Sequence, residues 1–432
     1  MLNDFKVKNF KCYEDNNYFT FPGLTILCGT NNSGKSSLLQ SIYLLTQNIN
    51  TEIPALPLNN INFKLGTFSD VLYKEKTNKD TIEFGIVFNK YILNKDQIER
   101  LYVNLIFKNP AALENLSLPE GDPVLTAMEV EFQKKGGNIK NLDLNLIDRV
   151  DNSLYQIDGD LEKGYTSING LVPSPIIYSD IDRKDRRIAY ADYELISKYL
   201  KLINTRNVHY LKAYRVDDYI QPFTSGKNIL GISGEYTAEI IGNNWNLNTG
   251  YYDEKNKPVK FSVKFEEWVK QLLGKQYRLK PKKEINGYKI VIEEVNNKLE
   301  LEVYQVGFGI SQLLPILTLL LTSKENDVIL IENPEIHLHP KLQAELVDLF
   351  IFALEANRKL IIETHSEHIV NRIRLRIKEN NSLREKINIY FFEKDDICKY
   401  QEIAVDNNGN IDYWPKDFFD QAYYDLSGLI KK

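Results

Sequence analysis

Eight consecutive residues, Gly29-Thr30-Asn31-Asn32-Ser33-Gly34-Lys35-Ser36, set two glycines, a lysine and a hydroxyl at the spacing G-x-x-x-x-G-K-[ST]. Those residue types suit one kind of chemistry. The glycines let the backbone curl until successive N–H groups, those of Asn31, Asn32 and Ser33 among them, point at a single anion. A helix starting at the loop adds its positive N-terminal end. Lys35 then reaches the β and γ phosphates of a nucleotide, Ser36 offers its hydroxyl to Mg2+, and Ser37 continues the run of N–H donors. The flanks have the order such a loop needs: residues 24–28 are a short apolar run of strand type, and residues 37–45 carry apolar side chains at helical spacing.

Two further apolar runs end in polar chemistry. Residues 327–331 lead to Glu332-Asn333-Pro334-Glu335, and residues 359–362 lead to Glu363-Thr364-His365-Ser366. A continuous apolar run fits a strand buried on both faces, and parallel sheets hold ligands at strand C-terminal ends. Glu332 is therefore the candidate to share Mg2+ with Ser36. Asn333 cannot accept a proton, although an amide can orient water, which leaves Glu335 as the candidate general base. Upstream, Val306-Gly307-Phe308-Gly309-Ile310-Ser311-Gln312 precedes an apolar helix over residues 313–321. His337 and His339 stand two apart with no third ligand nearby, which argues against a metal site there.

Taken in order, Asn9-Phe10, GTNNSGKSS, VGFGISQLLPIL, VILIENPEIHLHP and IIETHSEHIVNRIR resemble the ATP-binding-cassette ATPases of the RecF, SMC and OLD type. The chain looks closest to a set of bacterial AAA-type ATPases whose tails are similar to its YWPKDFFDQ. The resemblance implies an α/β fold, an ABC-type P-loop ATPase head with an antiparallel β subdomain and a mainly β insertion. It implies ATP and Mg2+ as cofactors, with Lys35 on the triphosphate and Ser36 and Glu332 on the metal. His365 matches the switch histidine that senses the γ phosphate. Gly309, Ser311 and Gln312 match a shortened signature that caps a partner's nucleotide, so a homodimer formed on ATP is implied. Two departures stand out. Cassette ATPases commonly follow the first acid at once with a catalytic glutamate, where this chain has Asn333. Residues 65–70, where a glutamine loop is expected, hold no glutamine, and Gln47 is the nearest alternative.

The elements that position these residues divide as 1–75 (N-terminal lobe with the phosphate loop), 76–204 (a mainly β insertion with a helical end), 205–385 (C-terminal lobe) and 386–432 (a hairpin and short helix). No sustained heptad marks a coiled-coil arm. Cys12, Cys28 and Cys398 lie far apart without C-x-x-C spacing, which suits a reducing cytoplasm rather than a disulfide framework or zinc site. The N-terminus lacks a signal-peptide core, and the most apolar run is about half a membrane span. A net charge of -5 argues against non-specific nucleic-acid binding by the whole molecule but leaves a local groove for DNA open. The run Arg183-Lys184-Asp185-Arg186-Arg187 reads as a solvated loop. An OLD-type nuclease lacks space, because the stretch after His365 is short and Asp395-Asp396 has no second acidic cluster. The expectation is an ATP-driven switch that dimerises and acts on a partner protein or nucleic acid. The resemblance sets it in DNA maintenance or defence against foreign DNA such as phage. The alternative is a slowly hydrolysing scaffold regulating a separately encoded effector.

Overall fold

The computed structural model describes the chain except residues 1, 49–53, 61, 78, 114–121, 148–153, 161–162, 180–185, 189–190, 216–228, 286, 298, 304–307, 395–397, 412, 417, 420–427 and 430–432. Strands in the N-terminal half are β1 (Leu2–Lys8), β2 (Asn17–Thr20), β3 (Leu24–Gly29), β4 (Ile82–Phe88), β5 (Ile98–Lys108), β6 (Val124–Lys134), β7 (Lys140–Leu146), β8 (Leu154–Gly159), β9 (Gly164–Asn169), β10 (Val172–Pro173), β11 (Ile176–Tyr178) and β12 (Arg186–Ile188). Those that follow are β13 (Val208–Leu211), β14 (Asn248–Tyr252), β15 (Pro258–Lys260), β16 (Tyr277–Glu284), β17 (Gly287–Glu294), β18 (Leu299–Glu302), β19 (Val328–Glu332), β20 (Lys359–Glu363), β21 (Ile387–Lys394) and β22 (Cys398–Glu402). The helices are α1 (Lys35–Leu45), α2 (Phe68–Val71), α3 (Lys90–Leu93), α4 (Ala191–Leu200), α5 (Thr237–Asn244), α6 (Phe261–Leu273), α7 (Phe308–Thr322), α8 (Pro340–Glu355) and α9 (Glu367–Glu379).

The chain divides into two compact units. One comprises Met1–Phe21, Asn32–Val208 and Lys394–Lys399, the other Pro22–Asn31, His209–Glu393 and Tyr400–Lys432. The first unit carries, among the described residues, an eleven-stranded sheet in the order β12-β11-β9-β8-β7-β6-β5-β4-β1-β2, with β10 beside β9. β7, in the middle of the order, alternates buried and exposed residues, as a sheet with one wet face requires, whereas β4 is buried almost throughout. β1 pairs antiparallel with β4, Phe5 opposite Ile86, so the strands before and after residue 75 share one sheet. Phe84 fills the middle of that core, 6.0 Å from the Phe5 ring and 5.4 Å from Phe10. β1 stops at Lys8 because Asn9 (φ 55°) and Lys11 (φ 53°) are left-handed, which breaks the pleat and turns the buried Phe10 and Tyr13 into a bridge.

The second unit holds the sheet that matters for chemistry, ordered β13-β19-β20-β3-β21-β22. β19, β20, β3 and β21 run parallel, and their registers align Glu332 with Glu363, Glu363 with Leu27 and Gly29 with Phe392. Their C-terminal ends therefore share one edge, where parallel sheets hold ligands. One apolar cluster packs α7, α8 and α9 around these strands, including Leu317, Leu346, Ile373 and Ile389. The tail forms the hairpin of β21 and β22, and a Val405–Ile411 bridge closes over the Asn408-Gly409 turn. No helix forms over the described residues 413–419. Pro415 steers Trp414 away from helical angles, and Trp414 instead packs edge-on to Phe418, which is fully buried against Phe391. Among the described residues no helix is long and apolar enough to cross a membrane.

Candidate nucleotide site

The phosphate loop leaves β3 at Gly29 and enters α1 at Lys35. In the first unit, Gly34 stands at the helix N-cap with φ 108°, and no side chain caps the helix, so its first N–H groups face outward as anion donors. A side chain at Gly34 is excluded twice: the backbone is left-handed, and a Cβ would lie 2.7 Å from Cys12 Sγ and 2.9 Å from Cys398 Sγ. Tyr13 donates its hydroxyl to the Gly34 carbonyl at 2.9 Å, and Cys398 donates its thiol to the Ser33 carbonyl at 3.0 Å. Lys35 is 3% exposed, and its ammonium donates to Ser33 Oγ at 3.3 Å. A cation held this far from water over a curl of N–H donors fits a phosphate chain. Ser36 and Ser37 are half-buried and Asn31 and Asn32 exposed, with Asn32 left-handed at φ 58°.

In the second unit the strand ends are cross-braced. Glu332 accepts from the Tyr210 hydroxyl on one carboxylate oxygen and from the Ala213 N–H, at 3.1 Å, on the other. Arg215, wholly buried, donates to the Glu332 carbonyl at 2.6 Å and reaches the Asn333 carbonyl at 3.5 Å. Its own carbonyl accepts from Gln312 of α7 at 3.3 Å. Asn333 adopts φ 40°, donates its N–H to Glu363 at 2.8 Å, and keeps a buried side-chain oxygen that accepts nothing from the described residues. Such an acceptor suits a bound water. Glu335 accepts from Thr364 Oγ1 at 2.8 Å and from the His365 N–H at 2.7 Å. Burial pushes its carboxyl above the ordinary range, against the pull of those hydrogen bonds and of Arg215. Ser366 caps α9 through Ile369 N–H and donates to Gln343 of α8 at 2.6 Å. His365 itself is exposed at the end of this chain of bonds.

A family model described as an AAA ATPase domain matches residues 1–370. The chain belongs to this family. A second, described as a protein of unknown function (DUF3696), matches residues 384–429 of the ATPase. No curated protein matches it in sequence. Among solved structures it is similar to an SmcHead bound to the C-winged helix domain of ScpA, at 14% identity, covering 94% of this chain and 98% of that one, with a TM-score of 0.47. It is similar also to the SMC head domain from Thermotoga maritima, at 12% identity, 94% and 99% coverage and a TM-score of 0.41. A third is the Smc head domain with an extended coiled coil bound to the C-terminal domain of ScpA derived from Pyrococcus furiosus, at 12% identity, 99% coverage of each chain and a TM-score of 0.44.

Several sequence expectations for the ATPase meet different surroundings. Ser311 is 2% exposed, and half-buried Gly309 stands nearer the surface in the first turn of α7. Gln312 is also buried, on Arg215. Val306-Gly307, Arg183 to Asp185 and Asp395-Asp396 lie outside the described residues. Where a glutamine loop was expected, α2 begins with Thr67 and Asp70 in a capping box. Gln47 accepts from Asn62 Nδ2 at 3.1 Å. His339 caps α8 by accepting from Lys341 N–H. Sequence reasoning missed Tyr210, Arg215, Thr364 and Gln343 as braces of the site. Nothing local marks Arg215 as an arginine that will be buried.

Proposed function

We propose that this ATPase is a switch in which two copies close face to face on two Mg·ATP and open after hydrolysis, acting through the antiparallel unit and the tail on a partner protein or DNA. The observation that carries the reading is the bond pair from Glu335 to Thr364 and His365. It ties the turn after β19 to His365, which the resemblance makes the γ-phosphate sensor, so in this reading the two strand ends respond to nucleotide together. Lys35 and Ser36 then take the triphosphate and Mg2+, and Glu332 supplies the metal's carboxylate; these are hard oxygen donors of the kind Mg2+ prefers. The setting in DNA maintenance or phage defence rests on the resemblance of the motifs. Lys35→Ala tests the site: it should abolish hydrolysis and weaken ATP binding strongly by calorimetry, and unchanged affinity would refute the reading.

A second reading, a slowly hydrolysing scaffold for a separately encoded effector, is favoured by one feature. Asn333 occupies the place of a catalytic base, and both oxygens of Glu335 are already engaged. Steady-state ATP turnover by the pure protein separates the two.

A further inference from the structure

Two thiols nearly the whole chain apart in sequence meet on the phosphate loop. Cys12 lies in the turn after β1 and Cys398 opens β22. The Cys398 N–H donates to the Cys12 carbonyl at 3.3 Å, which brings the two backbones together as neighbouring strands would be. Both sulfurs flank the point that a Gly34 Cβ would occupy, 2.7 and 2.9 Å from it. The Cys398 sulfur also reaches the Ser33 carbonyl. Both cysteines are free thiols. The third, Cys28, is buried elsewhere and bonds to the Tyr390 carbonyl at 3.3 Å.

We propose that Cys12 and Cys398 form a reversible modification site, a dithiol that small disulfides oxidise to an intramolecular disulfide against Ser33 and Gly34. Cys12 is half-buried and Cys398 is 8% exposed, so Cys12 is the point of entry. The neighbouring Cys398 thiol holds the Cys12 thiol below its ordinary range, while the Cys12 sulfur and burial push Cys398 well above its own. The nucleophile and the resolving thiol are thereby distinguished. The Cys12 thiolate attacks one sulfur of a disulfide R–S–S–R, forming a mixed disulfide and releasing one thiolate. Cys398 then gives up its proton and attacks the Cys12 sulfur, expelling the second R–S. Two protein thiols are oxidised, one small disulfide is reduced to two thiols, and excess thiol reverses the exchange.

Oxidation touches the loop directly. The Ser33 carbonyl loses its S–H donor, and two sulfurs now packed on Gly34 draw to bonding distance, so the N–H groups that grip phosphate shift. This consequence rests on the phosphate-loop reading above, whereas the cross-link does not. The test treats the full-length protein with glutathione disulfide, maps cross-linked peptides by mass spectrometry and measures ATP affinity before and after dithiothreitol. The expected result is a Cys12–Cys398 peptide with ATP binding weaker by about tenfold or more, the scale of one lost charge-assisted hydrogen bond, and restored by reductant. Cys12→Ser should keep full affinity under oxidant, Cys398→Ser should stop at a Cys12–glutathione mixed disulfide with no internal cross-link, and Cys28→Ser should still respond. Absence of that peptide overturns the dithiol site. A quantitative cross-link with unchanged affinity overturns its coupling to the nucleotide. Reduced protein that binds no ATP defeats the phosphate-loop reading instead and leaves the mapped cross-link standing.

Discussion

Glu335 has two duties open to it, and amide and methyl replacements tell them apart. As a general base it must lose a proton, and its buried carboxyl titrates above the ordinary range, so the acid limb of the rate profile should lie above that of a solvated carboxylate. Glu335→Gln should keep ATP affinity and lose turnover by about 10²-fold. As a strut it must hold Thr364 and His365, which a glutamine does by accepting from the His365 N–H and donating its amide to Thr364 Oγ1, and then only Glu335→Ala should fail; normal hydrolysis by Glu335→Gln would favour the scaffold reading. The stability sign follows from the same shift. A carboxyl whose folded pKa is raised contributes stability that is full below its unfolded pKa and is lost as pH rises through the folded one. At neutral pH, then, Glu335→Gln should melt no lower than wild type. Asn333→Glu places an acid at the position where a buried amide oxygen has no donor among the described residues. It should raise turnover if the amide acts as a brake, as single-turnover kinetics would show.

At the scale of elements, the first strand is pinned by a charge cluster. Glu83 of β4 accepts from Lys6 and Lys8 of β1, each at 2.8 Å, and Lys6 is 7% exposed. Burial alone would raise the Glu83 carboxyl, but the two ammoniums outweigh it and hold it at about 2, down from 4.5. Its stabilisation is therefore present above the ordinary carboxylate value and lost as pH falls from 4.5 toward 2. Glu83→Gln should cost about 2 kcal/mol at neutral pH in denaturant titration and flatten that acid limb. Little of this pairing was legible. The three parallel strands that carry Gly29, Glu332 and Glu363 showed themselves because a buried parallel strand is a continuous apolar run ending in polar residues, a local signal. The partner of β1 did not, because antiparallel register is settled by residues more than 70 positions away, and β4 was read as part of a separate insertion. The tail helix failed for a similar reason: the fate of Trp414 and Phe418 depends on Phe391, on another strand. The inward turn of Ser311 likewise follows from how α7 packs, which its motif does not encode.

For the whole molecule, the switch predicts an association that nucleotide controls. Sedimentation should show a monomer without ligand and a dimer with a non-hydrolysable ATP analogue, and a monomer at saturating analogue would defeat face-to-face closure. Ser311→Arg is a poor probe of that interface, since a buried arginine would disturb α7 first. One further consequence lies in the strand order. β3, from the first thirty residues, is seated between β20 and β21, so its two neighbours are made more than 330 residues after it. At roughly 5–20 residues per second, a ribosome exposes the phosphate loop tens of seconds before it supplies either flank. Until then both edges of an apolar strand stand open, a lure for pairing with the wrong chain. Birth of this protein is thus a waiting period, and nascent chains halted before residue 359 should bind no ATP and should lean on holding chaperones, while release past residue 394 should let the site close in a single late step.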